Sequence, residues 1–138
     1  MQPPAPTGAR PAIRVVAAVI ADGGRYLITQ RRSSAVLPEL WEFPGGRVEP
    51  GESDAGALAR EVRHRLGVDV SVGSLISYVS HPYARYSVEL HLYDCLITGG
   101  SPEPRNVRAF RWVTSDEFER FPFTPADERS VAELLGVD

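Results

Sequence analysis

Residues 45–70, GGRVEPGESDAGALAREVRHRLGVDV, join a glycine-rich loop to an amphipathic helix and decide the fold of this chain. Ser53 suits the N-cap of the helix, because its hydroxyl can accept a hydrogen bond from a free backbone N–H. Asp54 follows in the first turn, where the helix dipole favours a negative charge. Gly67 suits the C-cap, since glycine readily adopts the left-handed conformation found there. The stretch therefore predicts a glycine loop that leads directly into one helix.

The two faces of this predicted helix differ in polarity. One face is apolar at helical spacing, which predicts that it packs on a sheet. Its members are Ala55, Leu58, Ala59, Val62 and Leu66. The other face should lie largely opposite and point at whatever the glycine loop holds, because residues three, four and seven apart share one side of a helix. Its members are Asp54, Ala57, Glu61, His64 and Arg65.

The rest of the chain mixes strand and helix patterns irregularly. Short apolar or alternating runs are typical of strands, and they cover residues 13–20, 25–29, 41–44, 68–72, 75–80, 87–97 and 109–113. Two further helices are predicted over 115–119 and 125–135. Irregular alternation of this kind indicates the α/β class, with a mixed sheet and helices packed on both of its faces.

Composition indicates a single globular domain. The chain has 138 residues, of which 43% are hydrophobic and 24% are charged, as in ordinary globular proteins. The formal net charge of -3 argues against binding to duplex nucleic acid, which requires a large basic surface, but not against a small anion held by local arginines. Cys95 is the only cysteine, so an intrachain disulfide and a multi-cysteine zinc site are excluded.

The ends of the chain and its hydropathy bear on location. No apolar run has the length needed to span a membrane. Residues 1–10, MQPPAPTGAR, lack the apolar core of a signal peptide and are rich in proline, which predicts a flexible N-terminal arm. We therefore expect a single folded domain over residues 11–138, located in the cytoplasm.

Residues 46–68 resemble the signature of the Nudix hydrolases, G-x5-E-x7-R-E-U-x-E-E-x-G-U, in which U is aliphatic. The matching residues are Gly46, Glu52, Arg60, Glu61, Val62, Gly67 and Val68. A signature this long is far more specific than a lone glycine motif. The segment WEFPGG at 41–46 resembles the MutT-like branch, whose members cleave nucleoside triphosphates. The resemblance extends over residues 12–135 and implies the Nudix α/β/α sandwich around a mixed β-sheet.

The chain departs from this signature where the family has its main metal ligands. His64 and Arg65 replace the final pair of glutamates. The family commonly uses a further glutamate on the loop before the last strand. Asn106 or Arg105 stands at that position here, with Glu103 nearby. The resemblance thus implies a degenerate Nudix box.

Glu61 is the catalytic candidate that the resemblance leaves, and with the carbonyl of Gly45 it is also the remaining metal ligand. These two ligands imply Mg²⁺, or alternatively Mn²⁺, bound weakly. An ion pair between Glu61 and Arg65 one turn later is expected, and it would place a guanidinium where a metal normally stands. A plain surface ion pair is the other interpretation of Glu61. Glu52 and Arg60 are expected to be structural, tying the loop to the helix.

The resemblance also implies contacts with the substrate. The candidates are Arg31, Gly46, Arg65 and Asp127. Arg31 follows a strand at a place where the family contacts nucleotides, although a solvated charge is equally compatible. Asp127 matches the position where MutT-like proteins read the edge of the base, although capping of the last helix is an equal alternative. His81 and Tyr83 lie on a loop that either faces the ligand or forms a plain turn.

The function that the resemblance implies is hydrolysis of a nucleoside diphosphate-linked substrate. The simplest case is a (deoxy)nucleoside triphosphate cleaved to monophosphate and pyrophosphate. The alternative from another class is a catalytically silent nucleotide-binding module that acts as a sensor or partner protein. A third is an enzyme on another phosphate substrate, with Glu103, Asp54 or Glu49 as replacement metal ligands. The base, the sugar and the phosphate number stay open, and a homodimer is one expected assembly.

Overall fold

The computed structural model describes residues 11–135 and confirms the predicted α/β class. Its strands are β1 (Ala12–Asp22), β2 (Arg25–Gln30), β3 (Trp41–Glu42), β4 (Gly45–Arg47), β5 (Asp69–Pro82), β6 (Ser87–Gly99) and β7 (Ala109–Val113). The helices are α1 (Asp54–Leu66) and α2 (Pro125–Leu135), with a 3-10 helix at Ser115–Arg120 between β7 and α2. The expected flexible arm at 1–10 lies outside the described residues, as do residues 136–138.

The strands form one mixed sheet centred on β1, in the order β3-β2-β1-β6-β5, with β4 on β1 and β7 on β2. One edge of β1 pairs in parallel with β6. The other edge pairs antiparallel with β4 near its start and with β2 at its end. Between these two pairings, the Ala18 N–H of β1 donates to the carbonyl of Pro44, the residue before β4, at 2.8 Å.

Helices cover both faces of the sheet, which confirms the predicted α/β/α sandwich. Alternate residues of β1 enter two separate cores, as the two-residue period of a strand requires. The core on the α1 side includes Val16, Ala18, Ile20, Leu58, Val62, Leu66 and Cys95. The core on the α2 side includes Ala17, Val19, Phe43, Leu90, Leu92, Phe118 and Phe123.

Two expectations about strands were wrong in detail. The glycine loop begins with a strand, β4, because Gly45 and Gly46 pair directly with β1. The two strands expected over 68–72 and 75–80 are one long strand, β5. Register shifts on either side of Leu75 absorb the irregular sequence there, so that a bulge replaces the expected break.

The expected faces of α1 were wrong in part, since Leu58, Val62 and Leu66 are buried as predicted. The ends of the helix agree with prediction, since the Ser53 hydroxyl accepts from the Gly56 N–H and Gly67 has a left-handed φ of 72°. The apolar stripe, however, includes Ala57, which is fully buried, while Ala55 is exposed. The helix is therefore rotated about its axis. Glu61 and Arg65, which lie four and eight residues after Ala57 on the same side of the helix, point towards the sheet and not away from it.

Candidate active site

Two glycines of β4 make room for the centre of the site. A Cβ atom added to Gly46 would lie 2.2 Å from Oε2 of Glu61, so the carboxylate rests against the bare backbone of β4. A Cβ added to Gly45 would lie 2.0 Å from the carbonyl oxygen of Val16 in β1. Neither glycine has a positive φ. Both positions therefore need glycine for close approach.

Glu61 is a partly buried carboxylate with two guanidinium partners. Its side chain is 13% exposed. Arg60 donates from Nη1 to Oε1 at 2.6 Å, and Arg65 donates from Nε to Oε2 at 3.0 Å. The ion pair with Arg65 is the one expected from the four-residue spacing. Because two cations share this carboxylate, its negative charge is largely neutralised within the protein.

Arg60 connects α1 to the loop that precedes it. It donates to both carboxylate oxygens of Glu52 at 2.8 Å and to the backbone carbonyl of Arg47 at 3.1 Å. The hydrogen bond from Arg60, together with one from the Glu49 N–H, lowers the pKa of Glu52 to about 2. These contacts agree with the structural roles expected of Glu52 and Arg60.

Arg65 lies between two carboxylates. Its Nε contacts Glu61 as described, and its Nη1 lies 3.8 Å from Oε2 of Glu42 in β3. Arg31 holds Glu42 from the other side, with Nη1 at 3.2 and 3.1 Å from the two carboxylate oxygens. Burial raises the pKa of Glu42, although the attraction of Arg31 and Arg65 opposes that shift.

The described residues do not fit the multi-carboxylate metal site of a complete Nudix signature. Within residues 11–135, no group of three or more Asp, Glu, His or Cys side chains is placed to hold a metal ion. Magnesium requires oxygen ligands in octahedral geometry, whereas Glu61 here faces two guanidinium groups. The carbonyl of the preceding Pro44 accepts from the Ala18 N–H of β1 at 2.8 Å. Because only alternate residues exchange ladder hydrogen bonds, the carbonyl of Gly45 faces away from β1. That carbonyl remains a candidate ligand.

Two of the suggested replacement ligands are engaged elsewhere. Asp54 accepts two hydrogen bonds from Arg14 of β1, each at 2.7 Å, and one from the hydroxyl of Tyr93. Arg14 lowers the pKa of Asp54 to about 2. Glu103 is exposed and pairs with Arg105 at 3.2 Å. Neither carboxylate joins Glu61 in a metal-binding group of the described chain.

Asn106 lies near α1 and contacts His64. Its amide nitrogen lies 2.8 Å from Nε2 of the exposed His64, and its oxygen accepts from Nη1 of Arg32 at 2.7 Å. Arg105 instead packs on the C-cap of α1, where a Cβ added to Gly67 would meet its Nε at 2.6 Å. Of these two residues, Asn106 is the one that lines a pocket with Arg65.

Two pockets share Arg31 in their linings, and Glu42 lines the first of them. The first, which we call the apolar pocket, has a volume of about 120 Å³. Its lining includes Val15, Val36, Leu37, Tyr83, Tyr86, Val88, Leu90, Ala126 and Asp127. The second, the arginine pocket, has a volume of about 210 Å³. Its lining is Arg31, Arg32, Ser34, Ala35, Arg65 and Asn106.

Asp127 is a buried acid at the wall of the apolar pocket. It is 5% exposed, and it accepts hydrogen bonds from the Phe43 N–H at 3.1 Å and from the Thr124 hydroxyl at 2.7 Å. Burial, with repulsion from Glu42, raises its pKa to about 7. These bonds join α2 to the segment after β3, so Asp127 holds the pocket together as well as facing it. The Tyr83 hydroxyl accepts from the Ala126 N–H at 3.3 Å nearby.

The sequence did not single out Glu42 and Tyr86 as site residues. A charged side chain in the otherwise apolar WEFP segment was the available signal for Glu42, because glutamate is seldom buried without a partner. The signal for Tyr86 was weaker, since a tyrosine after a turn is common. The structure brings both to the apolar pocket with Asp127 and Arg31. Arg65 lines the arginine pocket, and Glu61 contacts Arg65 and Gly46 behind it.

Known proteins are similar to this chain over most of its length. A model described as the NUDIX domain matches residues 15–133. A protein of Escherichia coli named CTP pyrophosphohydrolase is 35% identical over 115 residues, which cover 83% of this chain and 85% of that protein. A protein of Mycobacterium tuberculosis named putative 8-oxo-dGTP diphosphatase 2 is 36% identical over 121 residues, covering 87% and 86%.

Solved structures show the same fold. The solution structure of the E. coli ORF135 protein aligns with a TM-score of 0.80 and 31% identity, covering 96% of this chain and 94% of that one. The MutT NUDIX hydrolase from Burkholderia pseudomallei aligns with a TM-score of 0.76 and 25% identity, covering 89% and 98%. Within the described residues, no helix has the length and apolar character needed to cross a membrane. With its predicted fold confirmed and relatives named as diphosphatases, this chain belongs to the Nudix hydrolase family.

Proposed function

We propose that this chain is a nucleotide pyrophosphohydrolase that cleaves a (deoxy)nucleoside triphosphate to monophosphate and pyrophosphate. The observation that carries the proposal is the pair of adjoining pockets that share Arg31. One pocket offers apolar and aromatic surface with two largely buried acids, Glu42 and Asp127, of which Glu42 is paired with Arg31, and this lining suits a base. The other offers guanidinium groups, which suit phosphates. The names of the relatives, a CTP pyrophosphohydrolase and a putative 8-oxo-dGTP diphosphatase, support the same substrate class.

The apolar pocket is proposed to hold the base. Its volume of about 120 Å³ is below the roughly 300–1,000 Å³ of sites for whole drug-sized ligands, so it accommodates one part of a nucleotide. Tyr83 and Tyr86, whose ring centroids are 5.3 Å apart, present aromatic surface there. Asp127, with a pKa near 7, is available as hydrogen-bond acceptor when charged and as donor when protonated. That dual capacity suits the polar edge of a base.

The phosphates are proposed to lie along Arg31 and Arg65, between the apolar pocket and Glu61. Each guanidinium can form two parallel hydrogen bonds to a phosphate. Gly46 makes room for the carboxylate of Glu61, which lies beside Arg65 at the end of this path. In this arrangement Arg31 and Arg65 bind and orient the diphosphate link that water must attack.

We propose a weakened metal site at Glu61 and the Gly45 carbonyl. With Arg60 and Arg65 already on Glu61, the free protein should bind Mg²⁺ or Mn²⁺ poorly, because substrate oxygens would have to supply most ligands. A catalytically silent nucleotide-binding module is the second candidate. The observation that favours it is the neutralisation of Glu61 by two arginines. The homodimer and the cytoplasmic location stay predictions.

Pyrophosphate release from a nucleotide panel tests the proposal. The panel contains the canonical triphosphates, their deoxy forms and 8-oxo-dGTP, each assayed with Mg²⁺, with Mn²⁺ and with EDTA. We expect release from at least one triphosphate, at a metal concentration well above that needed by a relative with the complete signature. Thermal unfolding with the same panel reports binding separately. Stabilisation by a nucleotide without any pyrophosphate release would favour the silent module. The absence of both stabilisation and release would rule out both candidate functions.

A further inference from the structure

The arginine pocket carries positive charge without acidic groups in its own wall. Three of its six lining residues are arginines, and none is Asp or Glu. Arg32 uses Nη1 for Asn106, and Arg31 uses Nε for the Val36 carbonyl and Nη1 for Glu42. A guanidinium has five N–H donors, so each of these groups keeps donors for a ligand. The pocket is therefore built to receive an oxyanion.

The position of Arg65 makes this pocket part of the site beside Glu61. The 3.0 Å hydrogen bond from Nε to Glu61 fixes the inner edge of the guanidinium. The contact of Nη1 with Glu42 is longer, at 3.8 Å, and is the weaker of the two. A phosphate in the arginine pocket can therefore draw the Nη groups of Arg65 away from Glu42 while the bond to Glu61 stays. Arg31 then retains Glu42, so that carboxylate is not left unpaired.

We propose that the arginine pocket binds the pyrophosphate part of a nucleoside triphosphate without a divalent metal, with Arg65 supplying the positive charge beside Glu61. The inference rests on the proposed substrate class, and it adds that ground-state binding is independent of metal. Inorganic pyrophosphate is the ligand of the same chemistry that needs neither base nor turnover. The binding of pyrophosphate can therefore be tested independently of nucleotide hydrolysis.

Calorimetric titration of the full chain with inorganic pyrophosphate in EDTA is the test. We expect measurable binding, with sulfate at the same concentration binding more weakly because it offers a single tetrahedral centre. Arg65→Gln should weaken binding by about 10-fold or more, since a charge-assisted hydrogen bond contributes roughly 1.5–3 kcal/mol. Arg65→Lys should recover only part of the loss, because it keeps the charge and loses the planar fork.

Arg63→Gln is the matched control on the same helix. Arg63 is 70% exposed and pairs with Asp69, outside the pocket. Its removal should leave pyrophosphate affinity within about twofold of wild type, a change below roughly 0.5 kcal/mol. Arg32→Gln provides a second pocket variant in case Arg65→Gln unfolds, and it should also weaken binding. Binding that requires Mg²⁺, or equal affinities of wild type, Arg32→Gln and Arg65→Lys, would overturn the proposal. Pyrophosphate binding without nucleotide hydrolysis would instead remove only the enzymatic function.

Discussion

Gly46 and Glu61 are in direct contact, although they lie on different elements. The missing side chain of Gly46 is the space that the carboxylate of Glu61 occupies, because a Cβ there would approach Oε2 to 2.2 Å. The glycine of β4 therefore determines how deeply the carboxylate of α1 reaches towards the sheet. This contact connects Gly46, the first glycine of the Nudix signature, with the position of Glu61, the principal acid of that signature.

Gly46→Ala should displace Glu61 while leaving the fold intact. The new methyl group meets a flexible side chain, so we expect a loss of about 1–3 kcal/mol in the free energy of unfolding, as in other overpacked sites. Pyrophosphate release should fall because Glu61 leaves its place. Gly45→Ala should be more destabilising, since its methyl group meets the backbone of Val16. Wild-type stability and activity in Gly46→Ala would show that the contact is unimportant.

Glu61→Gln should abolish the hydrolysis that wild type shows, because it removes the one signature carboxylate that remains on α1. Pyrophosphate release measured under the best metal condition of the nucleotide panel is the readout. Glu49→Gln is the control, since Glu49 is an exposed acid of the loop before α1 and a proposed replacement ligand. Full activity in Glu61→Gln together with loss of activity in Glu49→Gln would show that the catalytic carboxylate lies in the loop before α1 and not on the helix.

Asp127 should make folding depend on pH. Its pKa is raised from 3.8 to about 7 in the folded state, so the folded protein binds more protons than the unfolded chain between these values. The stability that this group contributes is therefore complete below about pH 4 and is lost as pH rises to about 7. Asp127→Asn keeps the shape and removes the titration.

The melting temperatures of wild type and Asp127→Asn, compared at pH 5 and pH 8, check this effect. The difference in favour of Asp127→Asn should be larger at pH 8 by at least about 3 °C, because roughly 1 kcal/mol shifts the melting temperature by 2–8 °C. The exposed Asp116 serves as control, and Asp116→Asn should show no such trend. A difference that does not change with pH would mean that Asp127 is charged throughout.

Local signals in the sequence were sufficient for the ends of α1. Ser53 and Gly67 determine them through hydrogen bonding and backbone conformation within a few residues. The orientation of the Glu61 side chain could not be predicted from local signals, because it depends on the space that Gly46 leaves in β4. Asp127 lies 84 positions from Phe43 along the chain, yet the two are hydrogen bonded. The apolar pocket could therefore be inferred only by resemblance, and its partner Glu42 was missed.

We propose that the positive charge beside Glu61 comes from the protein. The most direct test compares the Mg²⁺-dependent thermal stability of wild type with that of the double variant His64→Glu, Arg65→Glu. The two new carboxylates would lie three and four residues after Glu61, so all three would be neighbours on α1. Without metal the variant should be less stable, since like charges repel by about 0.2–0.5 kcal/mol per helical pair. It should then gain several degrees with Mg²⁺, whereas wild type should gain little. An equal gain in wild type would contradict the account, because carboxylates already present would then be holding the ion.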